Sequence, residues 1–306
     1  MAKYCHNETL PVLPVKAVLT KFRHGCIMAH ALTRPSVRAL RNLLADAVGE
    51  GGVRLKRRTR ALAAFFDVRM EQLITGWIVV MMLAGLAKVL TAPLPVRSWP
   101  ALCAQLLPYL FVALSPVAGY RVAAGSFPRG LLSAQPFFRI ARLGKWRPLD
   151  IVEARGNPAY GPAGFMASLL FGILLNVPVR TAEYLAAIPS VGANAVGWAQ
   201  VLHLAMTADV IVMNFFYMVC FVMALRSVPL FPRMLLFAWA VDIGMQFMIA
   251  EMVAGVGGLP VPVASSLLNL LHGNLDKVFI SAAVWMPYLL LSERVNVTYR
   301  HRIREV

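Results

Sequence analysis

Four polar residues stand well inside long, mainly apolar runs: Asp209 and Asn214 in residues 199–225, and Asp242 and Gln246 in residues 234–254. An aspartate at the centre of a membrane-crossing helix costs about 2.5–3.5 kcal/mol on insertion scales, so each needs a partner, water or a task. Asp242 follows Arg233 by nine residues, roughly 13 Å at about 1.5 Å of helical rise per residue, which sets it near mid-membrane. Gln246 lies one turn on, along the same face. Two chemistries fit this spacing. In one, Asp242 is a titrating carboxylate, with Gln246, Asn214 and Asp209 around an aqueous path for a proton or cation. In the other, Asp242 and the amides bond helix to helix, while Asp209 and Glu251 reach water near the outer interface. Nine residues of helix turn Glu251 to the face opposite Asp242, so these two cannot form an acid–base pair.

The remaining reactive groups argue against catalysis. Arg180 and Glu183, three residues apart beyond the third apolar stretch, read as a surface pair worth a few tenths of a kcal/mol. Cys5, His6, His24, Cys26 and His30 follow no zinc-finger spacing. His272 and Asp276 lack a nucleophile. The chain carries no phosphate-binding loop, dinucleotide fingerprint, zinc-protease helix or nucleophile elbow. No catalytic residue, cofactor or metal site is assigned, and the chain leans away from being an enzyme.

The elements that must hold the polar groups are helices of membrane-crossing length, about 20 residues each. Six are expected, at 73–91, 101–120, 163–179, 199–225, 234–254 and 278–291, with Pro108 and Pro116 making the second a bent or partial span. Of the 306 residues, 59% are apolar and mean hydropathy is +0.66, against about 45–50% apolar in ordinary globular chains. Of the 30 lysines and arginines, 26 fall in residues 1–72, 121–155, 226–233 and 292–306. Basic loops stay in the cytoplasm, so both termini are expected there, with Arg97, Arg180 and Lys277 in outer loops and Lys88 inside a span.

The expected fold class is therefore an all-α polytopic transmembrane bundle. It comprises a basic cytoplasmic arm with amphipathic helices (1–72), a transmembrane hairpin (73–120), an interfacial linker (121–162) and a four-span domain with a basic tail (163–306). Within it, 36–48 and 55–73 read as amphipathic helices, and 265–271 as a segment lying flat at the outer surface. The net charge of +16 does not indicate nucleic acid. The run Arg54, Lys56, Arg57, Arg58, Arg60 precedes the first span, where it meets anionic lipid headgroups. The expected partners are the lipid bilayer and its anionic headgroups, with a membrane-protein partner or a second copy of the chain.

Trp285, Pro287, Tyr288, Ser292, Arg294, Val295 and Thr298 join the last span to its tail, and Leu225, Arg226, Pro229, Phe231, Pro232 and Arg233 form a basic turn. In these two strings, residues 161–301 resemble the bacterial membrane-protein family called domain of unknown function 2569. The resemblance implies four spans and no activity. The expectation is a multi-pass protein of the bacterial inner membrane with a noncatalytic accessory or assembly role. The alternatives are an ion- or proton-coupled small-solute transporter using Asp242, and a membrane-embedded enzyme. A cysteine introduced at Ala193 should react with a membrane-impermeant maleimide only from outside the cell; labelling from the cytoplasmic side would reverse the orientation.

Overall fold

A computed structural model describes residues 69–92, 98–128, 135–136, 144–192 and 195–305. The helix expected at 36–48, the basic run 54–60, the Cys and His residues of the arm, Arg97 and Ala193 lie outside them, as does most of 55–73. All described residues belong to one compact unit, Leu55–Val306.

The elements in chain order are α1 (Arg69–Leu90), α2 (Trp99–Ser126), β1 (Trp146–Pro148), α3 (Ile151–Gly156), α4 (Phe165–Ala187), α5 (Gly197–Leu225), α6 (Phe231–Ala254), α7 (Val261–Leu291), α8 (Glu293–Arg300) and β2 (Arg302–Arg304). This is an all-α bundle in which α1, α2, α4, α5 and α6 are each long and apolar enough to cross a membrane. A sixth crossing is available if α7 and α8, bent by 72° at Ser292, count as one span.

Prolines mislead the sequence reading at three places. Pro108 and Pro116 lie inside α2, which runs unbroken to Ser126. Pro178 lies inside α4, which continues to Ala187 and so takes in Arg180 and Glu183; neither is in a loop. A proline removes one backbone donor and crowds the preceding turn, and neighbouring helices can hold such a helix together. The third correction concerns α7. Residues 261–277 form neither a loop nor a flat surface segment; they are the first half of a 31-residue helix that starts at Val261 with Pro262 in its first turn, where a proline's missing N–H costs nothing. Lys277 is thus helical too.

α5 is the central helix, packed on α2, α4 and α6, with α7 against α6. The hairpin of α1 and α2 is built into this bundle through close approaches of small residues. A Cβ on Gly119 of α2 would stand 2.6 Å from the Phe215 carbonyl oxygen of α5, and one on Gly85 of α1 would stand 2.7 Å from Tyr109 Cβ of α2. Small residues let helix backbones come together where lipid supplies no hydrophobic drive. Trp77 Nε1 donates to the Ala113 carbonyl at 2.9 Å and Ser115 Oγ to that of Ile211.

Two apolar cores result. One gathers Met166, Ile173, Met213, Tyr217, Cys220, Phe231 and Leu235 with Val295 and Tyr299. The other gathers Met81, Tyr109, Tyr184, Leu202, Met206, Ile249 and Leu267. Leu83, Phe171, Phe247 and Ile280 are more than half exposed, which is the pattern of side chains facing lipid.

The first core reaches the end of the bundle where the arginines collect. There α5 stops in a tight turn with Ser227 left-handed (φ 55°) and the Val228 amide bonded back to the Met223 carbonyl at 2.9 Å. Arg226 Nη1 donates to the carbonyls of Ala124 and Phe127 at 2.7 and 2.5 Å, a cation on the carbonyls that close α2. The expected basic tail is folded: β2 pairs antiparallel with β1 through Trp146–Arg304, Arg147–Ile303 and Pro148–Arg302.

Ala in place of Gly ordinarily steadies a helix by about 1 kcal/mol. Gly119→Ala should nonetheless lower the thermal midpoint of the detergent-solubilised protein, because the added methyl meets backbone. Gly172→Ala on α4, where the methyl meets open space, should raise it or leave it unchanged. The same response from both variants would deny the close α2–α5 contact.

Candidate functional site

Between the two apolar cores lies a polar layer, and its centre is a residue the sequence reading put elsewhere. Arg180 of α4 is 9% exposed and bonds two carboxylates from two other helices. Its Nη2 lies 2.9 Å from Asp209 Oδ2 and 2.7 Å from Asp242 Oδ1. Nε reaches Asp209 Oδ2 at 3.2 Å and Nη1 reaches Asp242 Oδ2 at 2.9 Å. The planar guanidinium thus serves both acids in a forked arrangement that a lysine could not copy.

Each helix delivers its residue to the middle of the bundle. Counted at about 1.5 Å per residue from the basic end, Arg180 stands roughly 22 Å up α4, Asp209 roughly 24 Å up α5, and Asp242 and Gln246 roughly 16 and 22 Å up α6. Gln246 Nε2 donates to Asp209 Oδ1 at 3.2 Å and to Asp242 Oδ1 at 3.4 Å. Its Oε1 accepts from Asn274 Nδ2 of α7 at 3.2 Å. Tyr217 donates its hydroxyl to Asp242 Oδ2 at 2.7 Å. Four helices meet in this one network.

Asp209, Asp242 and Gln246 are therefore in mutual contact, and Asp209 is 1% exposed. That corrects its expected approach to outer water. Asn214 bonds elsewhere: its Nδ2 donates to Thr181 Oγ1 at 2.8 Å, beside Arg180 but away from the carboxylates, and its buried Oδ1 has no partner among the described residues. Glu183 does not pair with Arg180. It accepts from Lys277 Nζ at 2.6 Å, with both side chains partly exposed.

A cavity of about 50 Å³ touches the network, lined by Asn176, Arg180, Tyr217, Asp242, Asn274 and Lys277. A cavity needs about 10–15 Å³ to hold a water, so this one has room for water. A second polar string lies beside the network, toward the far end of α5. The Tyr184 hydroxyl is 2.8 Å from Thr207 Oγ1 and 3.5 Å from His203 Nε2, and Thr207 Oγ1 donates to the His203 carbonyl at 2.6 Å.

With every group ionised, the network holds one positive and two negative charges. One proton makes it neutral. The arrangement is thus chemically suited to keeping or exchanging a proton, or to holding a small cation beside the second carboxylate.

Comparison of the chain with family models, curated proteins and solved structures found no match. What the site does must be argued from its own geometry.

The string running from Trp285 to Val295 lies at the basic end, apart from the charge network. Phe165 packs on Trp285 and Tyr288 with ring centroids 4.9 and 5.0 Å away. Pro287 is inside α7, Ser292 sits at the 72° bend, and Arg294 Nη1 donates to the Ala159 carbonyl at 3.2 Å. Val295 is fully buried. These residues anchor the turn from α7 into α8.

Arg180→Gln would leave two buried carboxylates without their cation, and loss of one partner of a buried ion network costs about 3–5 kcal/mol. Lys277→Gln removes an exposed pair and should cost no more than about 1 kcal/mol. Thermal unfolding in one detergent compares them; equal losses would mean that Arg180 does not neutralise the acids.

Proposed function

We propose that the chain is a multi-pass protein of the bacterial inner membrane, both ends cytoplasmic, in which Arg180, Asp209 and Asp242 form a proton-exchanging site of an ion- or proton-coupled small-solute transporter. The observation that carries this reading is the charge imbalance beside a water-sized cavity: one guanidinium, two carboxylates and room for water at Asp242. An ionised aspartate in hydrocarbon costs about 2.5–3.5 kcal/mol, and helices can be joined more cheaply by neutral amides and close packing. A second carboxylate on a single arginine is therefore poorly explained as glue. Taking up one proton removes the surplus charge, and releasing it restores a strong acceptor next to Arg180. Tyr184, Thr207 and His203 extend hydrogen-bonding groups toward the side away from the basic end, which supports exchange with the outer face.

A second reading, the noncatalytic accessory or assembly role, is favoured by the way each helix contributes to one closed set of bonds through Gln246, Asn274 and Tyr217. A membrane-embedded enzyme ranks behind both, because both carboxylates of the network are already bonded to Arg180.

The two leading readings part on Asp242→Asn. In lipid-reconstituted protein, infrared difference spectra over a pH titration should show the band of a protonated carboxyl that disappears as pH rises, and Asp242→Asn or Asp209→Asn should remove or displace it while protein abundance holds. A wild-type protein with no such titration, and an asparagine variant that loses abundance or thermal stability instead, would reject proton exchange in favour of the fixed structural network.

A further inference from the structure

At the basic end, three arginines from two parts of the chain converge on one small cavity. Arg233 comes from the first turn of α6, Arg300 from the last turn of α8, and Arg302 from β2. Together with Pro229, Pro232, Leu236, Leu290 and Tyr299 they surround a cavity of about 60 Å³. Asn296 holds two of them together. Its Oδ1 accepts from Arg300 Nη1 at 3.1 Å and from Arg302 Nε at 2.7 Å, so a neutral acceptor is shared between two cations. Arg302 also lies over the Trp146 ring, 4.9 Å from its centroid. Neither Arg233 nor Arg300 has a carboxylate partner among the described residues.

Like charges brought together in a partly buried place repel, and the cost is visible at Arg300. Burial first, and then the charges of Arg302 and Arg233, bring its proton affinity down to about 10. Arg233 and Arg300, neither with a carboxylate among the described residues, bring two positive charges to this cavity for an anion to balance. With about 60 Å³ of room, the cavity suits a compact group on the scale of a tetrahedral oxyanion. Guanidinium forks match the oxygens of such an anion in pairs, and the N-terminus of α6 adds a favourable dipole on the Arg233 side. Gln135 adds one neutral amide to the lining, and the prolines and leucines give the rest an apolar character, which suits a phosphate that carries carbon chains.

We propose that Arg233, Arg300 and Arg302 form a phosphate-binding site at the basic end of the bundle, open to an anionic phospholipid headgroup or to a free phosphate. It shares no residue with the charge network and does not depend on proton exchange there. Basic pockets between spans on the cytoplasmic side are a known way of holding anionic headgroups.

The test uses the full chain in a neutral detergent, followed by thermal unfolding. The midpoint is titrated in turn with short-chain phosphatidylglycerol, with short-chain phosphatidylcholine and with inorganic phosphate. A rise with phosphatidylglycerol well beyond that with phosphatidylcholine assigns the site to a lipid headgroup, and an equal rise with inorganic phosphate alone assigns it to a free anion. In either case Arg233→Gln should weaken the apparent affinity about tenfold or more, the loss expected for one charge-assisted contact. Arg300→Gln should do the same, and Arg304→Gln, an exposed neighbour on β2, should change little. Arg233 makes no ion pair among the described residues, so its variant keeps the test alive if the Arg300 change unfolds α8. The proposal is overturned if no phosphate compound raises the midpoint, or if Arg233→Gln responds as the unaltered protein does.

Discussion

A guanidinium cannot rest in hydrocarbon without anions, and two aspartates cannot rest there without a cation. Arg180, Asp209 and Asp242 satisfy each other across three helices, and that mutual need fixes the relative depth of α4, α5 and α6. Sliding any of them by one turn, about 5.4 Å, would part groups now 2.7–3.2 Å apart and strand a charge. Gln246 and Asn274 extend the same condition to α7. Apolar side chains pack with many neighbours at nearly equal energy, so the cores on either side of the polar layer set how tightly the helices sit. The charged layer sets their register.

The close contacts of α2 serve a different purpose. Lipid is as apolar as leucine, so burying leucine between helices yields little, and dispersion between backbones brought within touching distance must do more. Gly119 against the Phe215 carbonyl is the clearest case. It brings the α1–α2 hairpin into one unit with the four later helices, where sequence pattern alone suggested a separate segment. Bulky residues such as Leu83 and Phe247 are then left outside, which in water would be a defect and in a bilayer is the outer surface.

The helices themselves were legible in the sequence because hydrocarbon thickness imposes their length: five of the expected spans coincide with described helices to within a few residues, apart from the longer C-terminal ends of α2 and α4. The two polar residues one turn apart on α6, Asp242 and Gln246, announced a common face by spacing alone. What stayed hidden was Arg180. The apolar stretch ends at residue 179, and Glu183 three residues beyond Arg180 offered an easy exposed partner. A charge balance could have found it, since two aspartates within spans demand a cation and Arg180 directly follows the apolar stretch. The start of α7 was hidden for a related reason: Gly257, Gly258, Pro260 and Pro262 read as one breaker cluster, yet the last proline is helical. The basic pocket at the other end was illegible because Arg233 and Arg300 are 67 positions apart and only the fold of α8 brings them together.

The charges on α6 show which force ranks higher at the ends of these helices. Arg233 stands in its first turn and Glu251 in its last, each at the end where the helix dipole disfavours its sign. That arrangement costs about 0.3–1 kcal/mol per charge near the surface. Moving either charge into hydrocarbon would cost about 2.5–3.5 kcal/mol, so both must stay at the ends, but this does not choose which end. The choice fits retention of basic loops on the cytoplasmic side during insertion, a kinetic rule that acts before the bundle is packed. The helix dipole, acting only on the finished helix, is too weak to reverse it. The consequence is a bundle whose cations gather at one end and whose buried carboxylates lie near its middle, a separation no local helix preference would have produced.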